Sequence, residues 1–381
     1  MLTEHGLRHT DRVRIALVHY SYAPTIGGVE TVLHAHATLF ADAGHEVTII
    51  CARGGSGDPR VAVESYPPSP RTADALRSML HEAFGRHHLV IVHNVLTTPF
   101  DLELTAAIIE TAIALPQVRF LCWVHDLIGV PERELLLARQ AFSYITVSEH
   151  RREQTERLTG FTSRVVPNGL DPTEFLGLSA TVSDFVRTEG VLEREIVLLH
   201  PARIVARKNI EFALHVVAAL KSAGRDVCYL LTGADDPHTA GGKAHAHSLR
   251  ALQRQLGLEH EAHFLGDRFA VTKQDVISLF TTADALFFPS REEGFGLPVL
   301  EAALHRLPIF CPDLAPMNSL PAHLQHTFTV GADPESVATL ITKCLAASHA
   351  TQARKAVVRD YAWKAIYRNH LEPLLAEPHY A

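Results

Sequence analysis

The stretch VRIALVHYSYAPTIGGVETVLHAHATLFADAGHEVTIIC, residues 13–51, decides the fold. Val13–His19 reads as a buried strand, Gly27-Gly28 as a glycine-rich turn, Val29–Ala43 as a helix and Glu46–Cys51 as a second strand. A strand, a turn, a helix and a strand in that order mark a parallel sheet. Outward from it, Leu89–His93, Phe120–Val124 and Tyr144–Val147 predict further strands, with helical connections at Ala106–Ala114 and Glu132–Gln140.

The same grammar restarts near residue 190. Glu195–His200 predicts a strand, Asn209–Ala223 an amphipathic helix ending at Gly224, and Val227–Thr232 the next strand. A helix at Ala246–Leu256 and a strand at His263–Gly266 follow, and the alternation continues through Gln274–Thr282, Ala285–Pro289, Leu297–His305 and Leu307–Cys311. Pro334–Leu375 reads as mostly helical. The fold class is therefore α/β, with two domains meeting near residues 175–190 and an interdomain cleft as the expected ligand site.

Composition agrees with this and excludes other classes. A chain of 381 residues suits two α/β domains better than one core, and a formal charge of −7 argues against a dedicated nucleic-acid binder. Five scattered cysteines form neither a zinc spacing nor a disulfide framework, so buried free thiols in a reducing compartment are expected. No stretch reaches the roughly 20 apolar residues that span a bilayer, and the polar start lacks a signal core. A cytoplasmic protein is expected, with peripheral contact at the inner face of a membrane left open. His238, His245 and His247 read as an exposed, titratable loop rather than a metal tract.

Three segments carry candidate chemistry. Gly27 and Gly28, before a helix, allow close backbone approach to a diphosphate or a sugar hydroxyl, although the pair taken alone favours a plain strand–helix turn. In HPARIVARKNIEFAL, residues 200–214, Arg203 and Lys208 lie in a short strand-to-helix connection where a planar fork and a point charge can hold phosphate. A charged loop is the other reading. In PSREEGFGLPVLEAALHRLP, residues 289–308, Gly294 and Gly296 allow a tight strand-to-helix transition at the donor, and backbone N–H groups from Phe295 to Leu297 can face phosphate. Glu301 can accept two hydroxyl donors of a ribose, and Glu293 can hold a transferred sugar. His125, after the Phe120–Val124 strand, can hydrogen-bond a sugar hydroxyl. On the acceptor side, Tyr20, Tyr22, Asn94, Thr97 and Thr98 can meet a sugar-like molecule, or serve turns and packing, and Arg133, Arg151 and Arg152 can favour an anionic acceptor.

Together, GGVE (27–30), HD (125–126), VSEHRR (147–152), VPNGLD (166–171), RIVARKN (203–209) and EEGFGLPVLEA (292–302) resemble the GT-B glycosyltransferases, specifically the retaining family 4. The last segment is the most specific, and the likeness runs from Gly27 to about Trp363. The resemblance implies two Rossmann-like domains: an acceptor-side domain over residues 1–181, a nucleotide-sugar-binding domain over 182–355, and a helical segment, 356–381, that crosses back to the first. It makes Arg203 and Lys208 the diphosphate-binding pair, Glu301 the ribose carboxylate, Glu293 the acid at the donor-sugar end, Gly28 part of the N-terminal glycine loop and His125 the sugar-site histidine. Asn168 and Asp171 match a segment with more structure than chemistry.

The resemblance further implies retention of anomeric configuration by front-face attack, with His125, Arg203, Lys208 and Glu293 as the catalytic set and no covalent nucleophile. No metal and no cofactor are expected, the nucleotide sugar being a substrate of the UDP-glucose or GDP-mannose type. The expected acceptor is sugar-containing or lipid-linked, and a homo-oligomer is allowed. Asp235-Asp236 departs from the family's glycine-rich wording, which leaves the nucleotide-base side open. A nucleotide-sugar epimerase and a non-catalytic nucleotide or carbohydrate binder remain the alternative readings.

Overall fold

The computed structural model describes residues 12–55, 57–67, 71–129, 138, 141–160, 162–233, 242–320 and 322–377. The chain divides into two compact units, Met1–Leu170 with Tyr361–Ala381, and Asp171–Asp360. The first carries β1 (Arg14–Val18), β2 (Glu46–Cys51), β3 (Ala62–Ser65), β4 (Leu89–His93), β5 (Arg119–Val124), β6 (Phe142–Thr146) and β7 (Ser163–Val165). They form one sheet in the order β3-β2-β1-β4-β5-β6-β7, parallel throughout. The second carries β8 (Ile196–His200), β9 (Val227–Leu231), β10 (Ala262–Phe264), β11 (Ala285–Phe287), β12 (Ile309–Pro312) and β13 (Gln325–Phe328), parallel in the order β10-β9-β8-β11-β12-β13. Helices flank each sheet, giving two Rossmann-like domains of GT-B architecture.

Every residue of β4, β8 and β9 is buried, because helices cover both faces of each sheet and leave no polar side to the strand. Helix starts follow local chemistry. Asp101 accepts from the Leu104 N–H at 3.0 Å and opens Leu102–Ala114. A reciprocal Thr272–Asp275 capping box opens Lys273–Thr282.

The break between units falls at Leu170–Asp171 rather than at 181. Asp171 caps the short helix Pro172–Phe175 through Thr173 and pairs with Arg187 at 2.7 Å, and the Ser179 hydroxyl donates to Asp275 at 2.6 Å, which ties residues 171–189 to the second unit. The return occurs at Asp360–Tyr361 rather than at 355, at the last residues of the helix His349–Tyr361. Leu170 then bridges Ala362, and Trp363 packs so closely that a Cβ on Gly169 would meet its ring at 2.5 Å. Ile366, Leu371 and Leu374 complete the core below β1 and β2.

Arg133 and most of the Glu132–Gln140 helix lie outside the described residues, as do Asp235, Asp236 and His238. His245 and His247 are on the helix Gly242–Gln255, not in a loop, because Ala246 and Leu249 give that segment a buried stripe. All five cysteines are free; four are buried and Cys344 is half-buried. Among the described residues, no helix is long and apolar enough to cross a membrane.

Candidate functional site

Each sheet reverses its strand order once, between β1 and β4 and between β8 and β11. Loops leaving the C-terminal ends of strands flanking such a reversal diverge, and the crevice they leave is where open α/β sheets bind ligands. Most of the candidate residues lie on the loops that leave these four strands.

In the second unit the loop after β8 carries Arg203 and Lys208, and the loop after β11 carries Glu293. The two loops are laced together: Asn209 Nδ2 donates to the Pro289 carbonyl at 3.2 Å, Arg291 N–H to the Arg207 carbonyl at 2.8 Å, and an Arg207 guanidinium N–H to the Glu292 carbonyl at 3.1 Å. Asn209 holds φ +54°, which turns the chain from the short 3₁₀ segment Ala206–Lys208 into the helix Ile210–Ser222. Lys208 is only 8% exposed. Its ammonium pairs with Glu293 Oε1 and sits 4.6 Å above the Phe288 ring, while Arg207 approaches Glu293 Oε2 at 3.5 Å. Burial lowers the Lys208 pKa, Glu293 opposes that shift, and Arg207 and Arg203 add to it. Arg203 is exposed. The result is a cationic cluster whose one buried member is steadied by a carboxylate, suited to receive a polyanionic group.

Gly296, at φ +91°, starts the helix Leu297–Leu304, whose first N–H groups have no intrahelical acceptor. Phe295 and Leu297 are largely exposed. Glu301 lies one turn into this helix, exposed, and its carboxylate makes no hydrogen bond among the described residues. Beneath the loops, His200 Nδ1 meets the Tyr229 hydroxyl at 2.6 Å, and burial, reinforced by Lys208, pushes the His200 pKa down to about 3. Ser290 Oγ and Asn209 Oδ1 are buried without a partner among the described residues.

In the first unit His125 is buried and burial pushes its pKa down to about 3, with His19 adding to the shift. Asn94, at φ +59°, does not face outward: its Oδ1 accepts the N–H of His125 at 2.7 Å and that of Asp126 at 3.0 Å. The carbonyl of Asn94 accepts from the N–H groups of Thr97 and Thr98, so these three residues build the turn expected to touch an acceptor. Thr97 and Thr98 are themselves buried. The Tyr20 hydroxyl donates to the Thr98 carbonyl at 2.9 Å and accepts from Phe100 N–H at 3.0 Å, which commits it to the same turn. Tyr22 corrects the expectation most sharply. It is fully buried, packs on Gly54 and Gly57, and meets His34 Nδ1 at 2.9 Å, so it offers no face to a sugar.

Gly27 precedes the helix Gly28–Asp42 in extended conformation. Glu30 folds over it, receives the Ser21 hydroxyl at 2.6 Å and stands 3.8 Å from His19 Nε2. A carboxylate at that helix end repels phosphate, so this loop suits hydroxyl groups better. Nothing lies within 4 Å of a Cβ placed on Gly28. Arg151 reaches Asp126 at 3.4 Å, and Arg152 is engaged with Glu149 at 2.7 Å.

Sequence reasoning missed Gly233, where a Cβ would stand 2.0 Å from the Ala202 carbonyl and 2.5 Å from Arg203 Cα. It also missed His93, whose Nδ1 lies 3.1 Å from His125 Nε2. The signal for His93 is positional, since it ends β4 beside the point where strand order reverses, whereas Gly233 follows β9, one strand away from the reversal between β8 and β11. Among the described residues, no group of three or more His, Cys, Asp or Glu side chains is placed to hold a metal ion.

Two family profiles match the chain: Glycosyltransferase Family 4 over residues 26–174 and Glycosyl transferases group 1 over residues 183–359. An uncharacterized glycosyltransferase of Methanocaldococcus jannaschii is 22% identical over 93% of this chain and 96% of its own length. The 2-deoxystreptamine glucosyltransferase of Streptomyces kanamyceticus is 28% identical over 49% of this chain and 46% of its own. Among solved structures, a Rickettsia africae glycosyltransferase aligns with TM-score 0.43 and 17% identity, covering 95% of this chain and 98% of that one.

Proposed function

The chain belongs to the GT-B-fold glycosyltransferases, and from that premise we propose that it transfers a hexosyl group, with retention of anomeric configuration, from a nucleotide sugar to a hydroxyl of a sugar-containing small molecule, glycan or glycolipid. Transfer of a sugar from a nucleotide-sugar donor is the activity of the family; the hexose, the stereochemistry and the acceptor are the proposal. The observation that carries it is the buried Lys208–Glu293 pair, set beside Arg203 and Arg207 where the β8 and β11 loops are laced together.

In this reading the donor's diphosphate lies against Arg203, Lys208 and the N–H groups of Gly294–Leu297, and Glu301 takes the ribose hydroxyls. Glu293 stands at the donor-sugar end. His125 and the Gly27-Gly28 loop meet sugar hydroxyls. The acceptor oxygen bonds to the anomeric carbon on the face the diphosphate leaves. The bond from that carbon to the β-phosphate oxygen breaks with its electron pair going to the phosphate, and a phosphate oxygen takes the acceptor's proton. Charge builds on the leaving group, so fixed cations and N–H groups at its oxygens lower the barrier. A relative named as a glucosyltransferase and one named as a GDP-mannose-dependent mannosyltransferase support a nucleotide-linked glucose and GDP-mannose as the first donors to try.

The experiment is a matrix of nucleotide sugars against candidate acceptors, including lipid-linked ones, read by nucleoside-diphosphate release and product mass, with donor hydrolysis as control. Product with the donor's anomeric configuration, formed at the same rate in the presence of a chelator, is expected. An inverted product overturns the retaining mechanism. Conversion of the donor to an isomer without release of diphosphate overturns transfer.

A further inference from the structure

Four histidines, His19, His36, His93 and His125, are buried together at the C-terminal ends of β1, β4 and β5 and on the helix packed against them. His93 is central: its ring stacks on Trp123 and meets that of His125 end to end, with centroids 5.4 Å apart, and His36 lies 5.6 Å from it. We propose that His93 is a positioning residue that fixes His125 in the tautomer carrying its proton on Nδ1, so that His125 presents the bound sugar with an N–H donor rather than an acceptor. This rests on the reading of His125 as a sugar-contacting residue.

The argument is one of hydrogen-bond supply. His93 Nδ1 and His125 Nε2 are 3.1 Å apart and buried, so one of the two carries the shared proton. His93 Nε2 is buried with no partner among the described residues. A proton on Nε2 would leave a buried N–H without an acceptor, a rarer condition in proteins than an unused lone pair. The neutral ring therefore carries its proton on Nδ1 and donates it to His125 Nε2. Doubly protonated His93 is opposed first by burial and then by its three histidine neighbours. Having accepted at Nε2, neutral His125 holds its own proton on Nδ1, the nitrogen that makes no hydrogen bond among the described residues.

The surroundings hold this arrangement in place. His19 Nδ1 lies 2.9 Å from the His93 carbonyl, which can only accept, so His19 donates there and anchors the end of β4. Asn94 fixes the backbone of His125 and Asp126 from the other side. The donor property is thus set by residues that need not touch the substrate.

The test begins on the unmodified enzyme, labelled with ¹⁵N-histidine. Long-range ¹H–¹⁵N correlation, with His125 assigned by its loss in His125→Asn, is expected to show the His125 proton on Nδ1. A proton on Nε2 overturns the proposal without recourse to a variant. His93→Leu is expected to mix the tautomers and to lower kcat about tenfold or more, with KM for UDP-glucose or GDP-mannose within about twofold. His93→Asn places an amide N–H near the lost Nδ1–H, and recovery to within about threefold of the parent is expected. A His93→Leu enzyme with unchanged tautomer and unchanged kcat overturns the proposal. His125→Ala with unchanged transfer overturns the sugar-contact reading on which it rests, and the ¹⁵N spectrum separates that failure from a failure of the tautomer assignment.

Discussion

The Lys208 ammonium and the Glu293 carboxylate, 85 residues apart in the chain, form an ion pair above the ring of Phe288. Both side chains are about nine-tenths buried. A pair taken this far from water gains little stability over apolar packing, but either partner left alone is strongly destabilised. Its placement between two laced loops gives it another use: Glu293 keeps Lys208 charged although burial and two arginines lower its pKa.

Lys208→Ala is expected to lower kcat about 100- to 1,000-fold, the range for loss of one preorganised group facing a developing negative charge. Glu293→Gln removes the one influence that raises the Lys208 pKa. Lys208 then loses its proton at lower pH, and the alkaline limb of kcat/KM moves to lower pH than in the parent. An alkaline limb that stays in place in Glu293→Gln would show that Lys208 is not the titrating group. Both are read by nucleoside-diphosphate release across a pH series.

Gly233→Ala is expected to impair donor binding without any charge being changed. The new Cβ would press on the Ala202 carbonyl and Arg203 Cα, both backbone, so the loop bearing Arg203 must move. Shifts of about 1 Å in a positioning loop can cost on the order of 100-fold in rate. Gly44→Ala is a control for loss of glycine elsewhere, since nothing lies near its Cβ, although its φ of +85° carries strain of its own. A Gly233→Ala enzyme with the parent's KM for donor would exclude this role.

How far the sequence could be read follows from what each element buries. Ile196–His200 and Val227–Leu231 were legible because they are sealed on both faces and written as continuous apolar runs. Ala62–Ser65, Ser163–Val165 and Gln325–Phe328 were not, being edge strands with half-exposed polar residues. The helix Glu149–Thr159 buries little beyond Thr155 and so shows no stripe. The candidate residues of the glycine-rich segment and of RIVARKN were visible as types at recognisable spacing. The Lys208–Glu293 contact, the commitment of Tyr20 and Asn94 to one turn, and the burial of Tyr22 depend on chain crossings that no local pattern records.

Asp284 separates stability from activity. Its side chain is fully buried, accepts the Val197 N–H at 2.8 Å and pairs with Arg354 and Lys355, each at 2.7 Å. It lies just before β11, at the end of the sheet opposite the candidate site. Asp284→Ala removes the fully buried carboxylate that partners two half-buried cations and a backbone N–H, and a loss of about 3 kcal/mol is expected. The thermal midpoint should fall while KM and kcat at a temperature where the protein is folded stay near the parent's. A change in KM as large as that of Gly233→Ala would contradict the assignment of Asp284 to the scaffold.

Acid should unfold this protein through its buried histidines. Burial holds His36, His125 and His200 at a pKa of about 3, and His93 also well below the ordinary 6.5. On unfolding each ring regains its ordinary affinity, so between pH 6.5 and about 3 the unfolded chain binds more protons than the folded one. Stability therefore rises with pH across that window and is lost as pH falls, by about 1.4 kcal/mol per pH unit for each such histidine. His36 is the cleanest probe: neither ring nitrogen has a partner among the described residues, and it packs edge-on to Trp123 and Trp363. His36→Leu, close in volume, removes one of these protons and two unmet polar atoms at once. At pH 7 its stability should lie within about 1.5 kcal/mol of the parent. The fall in thermal midpoint from pH 7 to pH 5 should be shallower than the parent's, because one fewer proton is taken up on unfolding. Parallel curves for the two proteins over that range would mean that His36 is already able to charge in the folded state.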